Sequence, residues 1–219
     1  MFALVDKSDN SITRMYSGNK GITIGENQYP QTIFTLWTEA ERNAIDIYTI
    51  EMDNSKFKNE QWYNNTDITY SFDGSKAKGS YGDATAKAHA DVNHVWTQEE
   101  IDDGEAPDGT SEGDAKKDDD GNQLITRGLK YILIKKIKDH AEGELNKTDW
   151  YVIRKTEEDI AIPSTITTHR KAVRTKQAEM ETAITNASDT PALETLYTYT
   201  EQEDGSVTRP LGELPTLED

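Results

Sequence analysis

The sequence predicts an α+β fold built from two small units of different character. Residues 1–98 carry short runs of alternating apolar and polar residues separated by turn residues, a pattern typical of half-buried β-strands. Residues 124–219 instead carry apolar residues at helical spacing. Between them, residues 99–123 hold too few apolar side chains to build a core, so we expect a flexible acidic linker or loop there.

The N-terminal region is predicted as a small β-rich domain with one short helix. Four runs have the composition and alternation of strands: residues 2–5, 12–16, 45–50 and 68–72. Thr38 is expected to begin the helix, because Glu41 follows it at the spacing of a capping box.

The predicted linker is the most acidic part of the chain. Residues 99–122 contain eleven acidic side chains and two lysines, a net charge of −9. Asp118, Asp119, Asp120 and Gly121 suggest a calcium loop, since hard cations bind clustered carboxylates. Aligning Gly121 with the sixth position of such a loop, however, places lysine and arginine at the first and twelfth ligand positions. The sequence therefore predicts no calcium site.

The C-terminal region is predicted as a helical hairpin followed by an irregular tail. Apolar residues recur every four positions from Leu129 to Leu145, which predicts an amphipathic helix of about five turns. The aromatic and β-branched residues 150–153 favour an extended segment. Pro163 then begins a second helix and Pro191 a third, while residues 201–219 are expected to be irregular.

Composition excludes several classes of function. The 24 basic and 41 acidic residues give a net charge of −17, which would repel nucleic acids and anionic membranes. The chain contains no cysteine, and no window approaches the roughly 18 apolar residues of a spanning helix. We expect a soluble cytosolic protein that binds neither nucleic acid nor membrane.

The sequence gives no positive signal for catalysis, a cofactor or a metal. His89 and His94 flank Asp91, but five-residue spacing on a strand would place the two imidazoles on opposite faces. No glycine-rich phosphate loop occurs, and neither His140 nor His169 has a nucleophile beside it in sequence. We therefore predict a non-enzymatic protein without cofactor or metal.

The candidate partner-binding residues are Tyr151, Arg154, Arg170 and Arg174. Aromatic and arginine side chains dominate the energetics of protein interfaces, and Arg170 and Arg174 lie one helical turn apart. Trp150 could belong to the same surface, or it could close the core between the helices. The arginines could instead pair within the chain, with Glu157, Glu158 or Asp159.

The order of several short motifs resembles a known family. Thr148-Asp149-Trp150 follows the first predicted helix, Pro163 precedes the second, and that helix carries His169-Arg170 and Arg174. This order resembles the C-terminal region of phage tail and tail-fibre assembly chaperones, with His169 where the family usually has an aromatic residue.

The opening of the chain is similar to the same family. Met1-Phe2-Ala3-Leu4-Val5 stands as a first strand, and Phe34 precedes Trp37-Thr38-Glu39-Ala40-Glu41-Arg42, which leads to Ile47-Tyr48. The resemblance covers about two thirds of the chain. It implies a protein that binds a phage tail-fibre or other tail protein in the host cytoplasm during assembly.

The resemblance leaves the biological role open between two forms of protein binding. The chain could be an assembly chaperone or fibre-associated tail protein, or a permanent component of the fibre or baseplate that contacts the receptor. A third hypothesis comes from the residues alone: the first 98 residues could bind or hydrolyse carbohydrate through stacking aromatic residues. The aromatic residues in question are Trp37, Trp62, Tyr63 and Trp96.

Overall fold

The computed structural model describes residues 1–217 and divides the chain into two compact units. The first unit is Met1–Thr85, and the second begins at Ala86. The predicted α+β class is confirmed, because the first unit contains a mixed sheet and the second contains the long helices. The boundary lies before the expected position at residue 98, and residues 99–123 belong to the second unit.

The first unit is built mainly from short strands. Its elements are β1 (Phe2–Asp6), β2 (Ser11–Tyr16), β3 (Ile22–Ile24), β4 (Asn27–Tyr29), a 3-10 helix (Gln31–Phe34), α1 (Glu39–Asn43), β5 (Ile47–Asp53), β6 (Tyr63–Asn64), β7 (Thr69–Phe72) and β8 (Ala77–Ser80), with β9 (Thr85–Ala86) at the boundary. The four predicted strands are present as β1, β2, β5 and β7. Five strands form one sheet in the order β2-β1-β5-β8-β7, in which only β5 and β8 run parallel.

Both faces of this sheet are covered by apolar side chains. Ala3 and Val5 of β1 belong to one buried cluster with Tyr48 and Phe72. The alternate residues of β1 pack against a second cluster, which contains Ile33, Phe34 and Ile47. Because successive side chains of a strand point to opposite faces, β1 contributes to two cores at once.

The predicted capping box at the start of α1 is confirmed. The Thr38 hydroxyl accepts a hydrogen bond from the Glu41 backbone N–H, and the Glu41 carboxylate accepts one from the Thr38 backbone N–H at 2.8 Å. These two bonds satisfy donors that an isolated helix start would leave free.

The second unit contains a helical hairpin and several short elements. They are β10 (Val92–Asn93), α2 (Gln98–Asp102), β11 (Ile125–Thr126), α3 (Leu129–Asn146), α4 (Asp149–Glu158), α5 (Ser164–Asn186), α6 (Thr190–Tyr197), β12 (Thr200–Glu201) and β13 (Val207–Thr208). The predicted helices after residue 128, after Pro163 and around Pro191 are therefore confirmed as α3, α5 and α6.

Helices α3 and α5 pack against each other in opposite directions. Near one end the Lys130 ammonium donates to the Thr185 carbonyl at 2.8 Å, and near the other Arg170 donates to the Leu145 carbonyl at 2.8 Å. The stripe predicted from four-residue spacing is buried along α3, and α5 contributes its own buried stripe. These residues are Leu129, Leu133, Ile137, Ala141, Ile166, Val173, Met180 and Ile184.

The expectation of an extended segment at residues 150–153 is wrong, because these residues lie in α4. Aromatic and β-branched residues lower helix propensity by at most about 0.7 kcal/mol each, which tertiary contacts readily offset. Asp149 in the first turn favours the helix through its interaction with the helix dipole. The helix ends at Asp159, whose backbone is left-handed with φ of 56°.

The acidic segment, expected to be a flexible linker or loop, contains one short helix and several turns held by polar side chains. Thr97 and Glu100 form a second capping box at the start of α2, and Lys116 pairs with Glu100. The Asp118 carboxylate accepts backbone N–H bonds from Asp120 and Asn122. Polar side chains thus organise the turns locally, where apolar burial is not available.

The tail is also more ordered than predicted. Strands β12 and β13 pair as a small hairpin. Leu211 and Leu214 beyond it are buried, and the Leu211 N–H donates to the carbonyl of Leu196 at the end of α6. Two isolated leucines carry no periodic signal, so their burial was not visible in the sequence pattern. Residues 218 and 219 of the predicted tail lie outside the described residues.

Candidate functional site

The junction between α3, α4 and α5 is built around Arg170. The Arg170 guanidinium donates to the Leu145 carbonyl at 2.8 Å and to the Thr148 hydroxyl at 2.7 Å. Thr148 is completely buried, and its hydroxyl donates to the same Leu145 carbonyl at 2.9 Å. The guanidinium therefore closes the end of α3 against α5 through a small buried polar network.

The same guanidinium fixes the beginning of α4. Arg170 pairs with Asp149 at 2.7 Å, and Asp149 is the first residue of α4. The Arg170 residue is only 8% exposed. The prediction that Arg170 belongs to a partner-binding surface is thus wrong, because the residue is buried and its Nη1 is engaged by Leu145, Thr148 and Asp149 inside the unit. The neighbouring His169 is buried as well.

Helix α4 presents an aromatic and aliphatic face to solvent. Each of its ten residues is at least partly exposed, with Trp150 at 49% and Ile153 at 55%. The rings of Trp150 and Tyr151 lie 3.8 Å apart between centroids. The Arg154 guanidinium lies over both rings, 4.6 Å from the Trp150 centroid and 5.4 Å from that of Tyr151.

Of the two positions predicted for Trp150, surface and core, the structure shows the surface position. The side chain does not close the core between the helices, since half of it is exposed. It stacks instead on its helix neighbours, Tyr151 and Arg154. We call Trp150, Tyr151, Ile153 and Arg154 the α4 face.

Arg154 and Arg174 have no partner for their charge among residues 1–217. Neither forms an ion pair or a hydrogen bond in that part of the chain, so the alternative of pairing with Glu157, Glu158 or Asp159 is not found for these two arginines. Asp159 pairs instead with Lys155. Arg174 is exposed on α5, where it lines an open cavity of about 650 Å³ beside Leu145 and Glu181.

The structure therefore groups only two of the four predicted residues. Tyr151 and Arg154 lie together on the α4 face, whereas Arg170 is structural and Arg174 lies on another helix. From the sequence, Trp150 is left open between surface and core, and Ile153 is missed altogether. The spacing of three between them would have placed both on one side of a helix, had residues 150–153 been read as helical.

The site hypotheses for sugar and metal receive no support from the geometry. Trp62 and Tyr63 are buried at 2% and 6% exposure, and Trp37 packs edge-on against Tyr29, so the first unit offers no open aromatic platform from these residues. Trp96 lies in the second unit. His94 shares a hydrogen bond with Thr126, and residues 1–217 contain no group of three metal-ligating side chains.

Comparison with known proteins identifies no relative. No protein-family model, curated protein or solved structure matches the chain. Over the described residues, every helix is too short or too polar to cross a membrane.

Proposed function

We propose that this protein is a phage tail-fibre assembly chaperone or fibre-associated tail protein, which acts by stoichiometric protein binding rather than catalysis. The observation that supports this best is the α4 face, in which the exposed Trp150 lies against half-buried Tyr151 and Arg154 and a buried junction holds the helix. The motif order that resembles these chaperones falls on the same structure. Thr148, Asp149 and Arg170 form the junction, and Trp150 is displayed by it.

A partly exposed cluster of tryptophan, tyrosine and arginine is characteristic of a protein-contact site. Tryptophan, tyrosine and arginine are the residues most enriched at energetic hot spots of interfaces. Burying the apolar surface of Trp150 and Ile153 against a partner would contribute about 25 cal/mol per Å² of area removed from water. The α4 face gains none of this stabilisation while it is exposed.

The mechanism we infer is shielding of an incomplete fibre. Unpaired strand edges of a fibre subunit promote aggregation before its trimer forms, and a bound chaperone would cover them. The net charge of −17 would keep such a complex soluble through mutual repulsion. This activity would take place in the host cytoplasm during assembly.

Co-expression with the fibre gene expected to lie beside this one tests the proposal. The fibre should become soluble and co-purify with the wild-type protein, whereas Trp150→Ala and Ile153→Ala should reduce both. Val207→Ala serves as a matched control, because Val207 is an aliphatic residue of the same unit with 61% exposure. A fibre that is soluble and trimeric without the protein would contradict an assembly role.

Purified virions distinguish the chaperone from a permanent component. A chaperone should be absent from them or present in trace amounts. A fixed copy number per virion would instead identify a structural protein of the fibre or baseplate.

A further inference from the structure

We infer that the α4 face recognises a partner segment in which an apolar side chain stands close to an aspartate or glutamate, with Arg154 binding the carboxylate. This inference rests on the proposed function, since it specifies the chemistry of the protein partner. It goes further by assigning one residue, Arg154, to selection of the segment.

Arg154 has no anionic partner among residues 1–217, although the protein is unusually acidic. The chain has 41 acidic residues, and Glu158 lies one helical turn away from Arg154. Lys155, the next residue along the helix, does pair with Asp159. Arg42, Arg127, Arg170 and Arg209 donate to a carbonyl or carboxylate. Within residues 1–217, Arg14 and Arg174 do not, but both are exposed to water, whereas Arg154 is half-buried. Over the same residues, Arg154 donates to neither a carbonyl nor a carboxylate.

Arg154 is also held in a fixed position. Its guanidinium is stacked over Trp150 and Tyr151, and its Nε is buried without a hydrogen-bond partner in the described part of the chain. A guanidinium fixed on aromatic rings loses less conformational entropy when it binds than a freely rotating one. A carboxylate that approaches it also gains a charge-assisted bond in a partly desolvated position.

The charge of the protein and the shape of the guanidinium favour a carboxylate over other anionic ligands. A polyphosphate or an anionic membrane would meet the field of a protein with net charge −17, whereas a single carboxylate on a protein segment adds little repulsion. The exposed Trp150 and Ile153 also offer apolar surface beside the charge, which favours a ligand with an apolar side chain next to its carboxylate. The planar guanidinium matches the two oxygens of a carboxylate in one plane.

Fifteen-residue peptides that tile the fibre subunit provide a direct test. Wild-type protein should retain peptides that contain Asp or Glu within a few positions of a large apolar residue, and binding should weaken as salt is added. Replacing that acidic residue by its amide should weaken binding by about tenfold or more. Retention of basic or wholly apolar peptides would overturn the inference.

Variants of the protein assign the effect to Arg154. Arg154→Met keeps an unbranched stem over the rings and should weaken binding by about tenfold or more, with loss of the salt dependence. Arg154→Lys should restore only part of the affinity, because an ammonium cannot form the planar two-point contact. Arg14→Met is the control, since Arg14 is exposed on β2 and also lacks an ion pair within residues 1–217.

The outcomes separate this inference from the proposed function. If the whole fibre binds wild-type protein and Arg154→Met equally well, the carboxylate role of Arg154 is refuted while the chaperone proposal stands. If neither the fibre nor its peptides bind wild-type protein, the proposed function is refuted, and the inference about Arg154 is refuted with it. Equal losses for Arg154→Met and for the amide-substituted peptide, with no further loss when both are combined, would establish the pair.

Discussion

Replacing Arg170 by alanine should destabilise the second unit strongly. The side chain connects three segments: the end of α3 through Leu145, the turn through Thr148, and the start of α4 through Asp149. Truncation removes all three contacts and leaves a space in a region where Thr148 is completely buried. The sequence-based expectation was the opposite, because it treated Arg170 as an exposed interface residue.

The magnitude follows from the two buried contacts. A hydrogen bond from a charged group contributes about 1.5 to 3 kcal/mol. The Leu145 carbonyl and the Thr148 hydroxyl keep the bond that joins them at 2.9 Å, so each loses only part of its hydrogen bonding when the guanidinium is removed. Asp149 has a side chain that is 46% exposed, and water replaces its ion pair at a cost below about 1 kcal/mol. Together these losses should lower the free energy of unfolding by about 2 to 4 kcal/mol.

Calorimetry measures this change directly. For a unit of this size, about 2 to 4 kcal/mol corresponds to a fall in Tm of roughly 6 to 16 °C. Arg174→Ala is the matched control, because Arg174 is exposed one turn further along the same helix and should shift the Tm by no more than about 3 °C. The Tm of Asp149→Asn should lie between those of Arg170→Ala and Arg174→Ala.

A small effect would refute the reasoning. If Arg170→Ala melts within about 3 °C of wild type, the junction does not depend on the guanidinium. If Arg174→Ala is the more damaging change, the buried and exposed positions on α5 have been assigned the wrong way round.

Three further outcomes are expected. Trp150→Ala should leave the Tm within about 3 °C of wild type in calorimetry yet abolish fibre capture, because the side chain is half exposed. The bond from Lys116, with that from the Thr97 N–H, lowers the pKa of Glu100 to about 2. Glu100 therefore adds stability above its ordinary pKa that is lost as the pH falls towards 2, and an NMR titration should place its midpoint there. Limited proteolysis should cut first within residues 99–122, and the fragments should co-elute because β10 and β11 pair across the cut.

Periodic burial is the part of this fold that the sequence reveals. Strand β1 buries alternate residues, and helices α3 and α5 bury apolar residues that recur on one helical face, so their spacing is visible without coordinates. The capping box at Thr38 was predictable for the same reason, since two residues at fixed spacing satisfy local donors.

Elements that are held by a few polar contacts cannot be predicted from periodic burial. Helix α4 buries no continuous stripe, and its position depends on Arg170, which lies more than twenty residues away from Asp149 along the chain. The acidic segment depends on pairs such as Lys116 with Glu100, which composition cannot distinguish from solvated charge. In both cases a few polar contacts replace the apolar periodicity on which sequence reasoning relies.

The same distinction separates residues that position the α4 face from residues that form it. Arg170 acts through the junction, so its loss should lower stability and fibre binding together. Trp150 and Arg154 contribute little to the core, so their replacement should lower binding alone. Tyr151 is only half-buried and lies beneath the Arg154 guanidinium, so Tyr151→Phe, which preserves the ring, should retain binding that Tyr151→Ala loses. If stability and binding fell in proportion for all of these variants, the face would have no role separate from the fold.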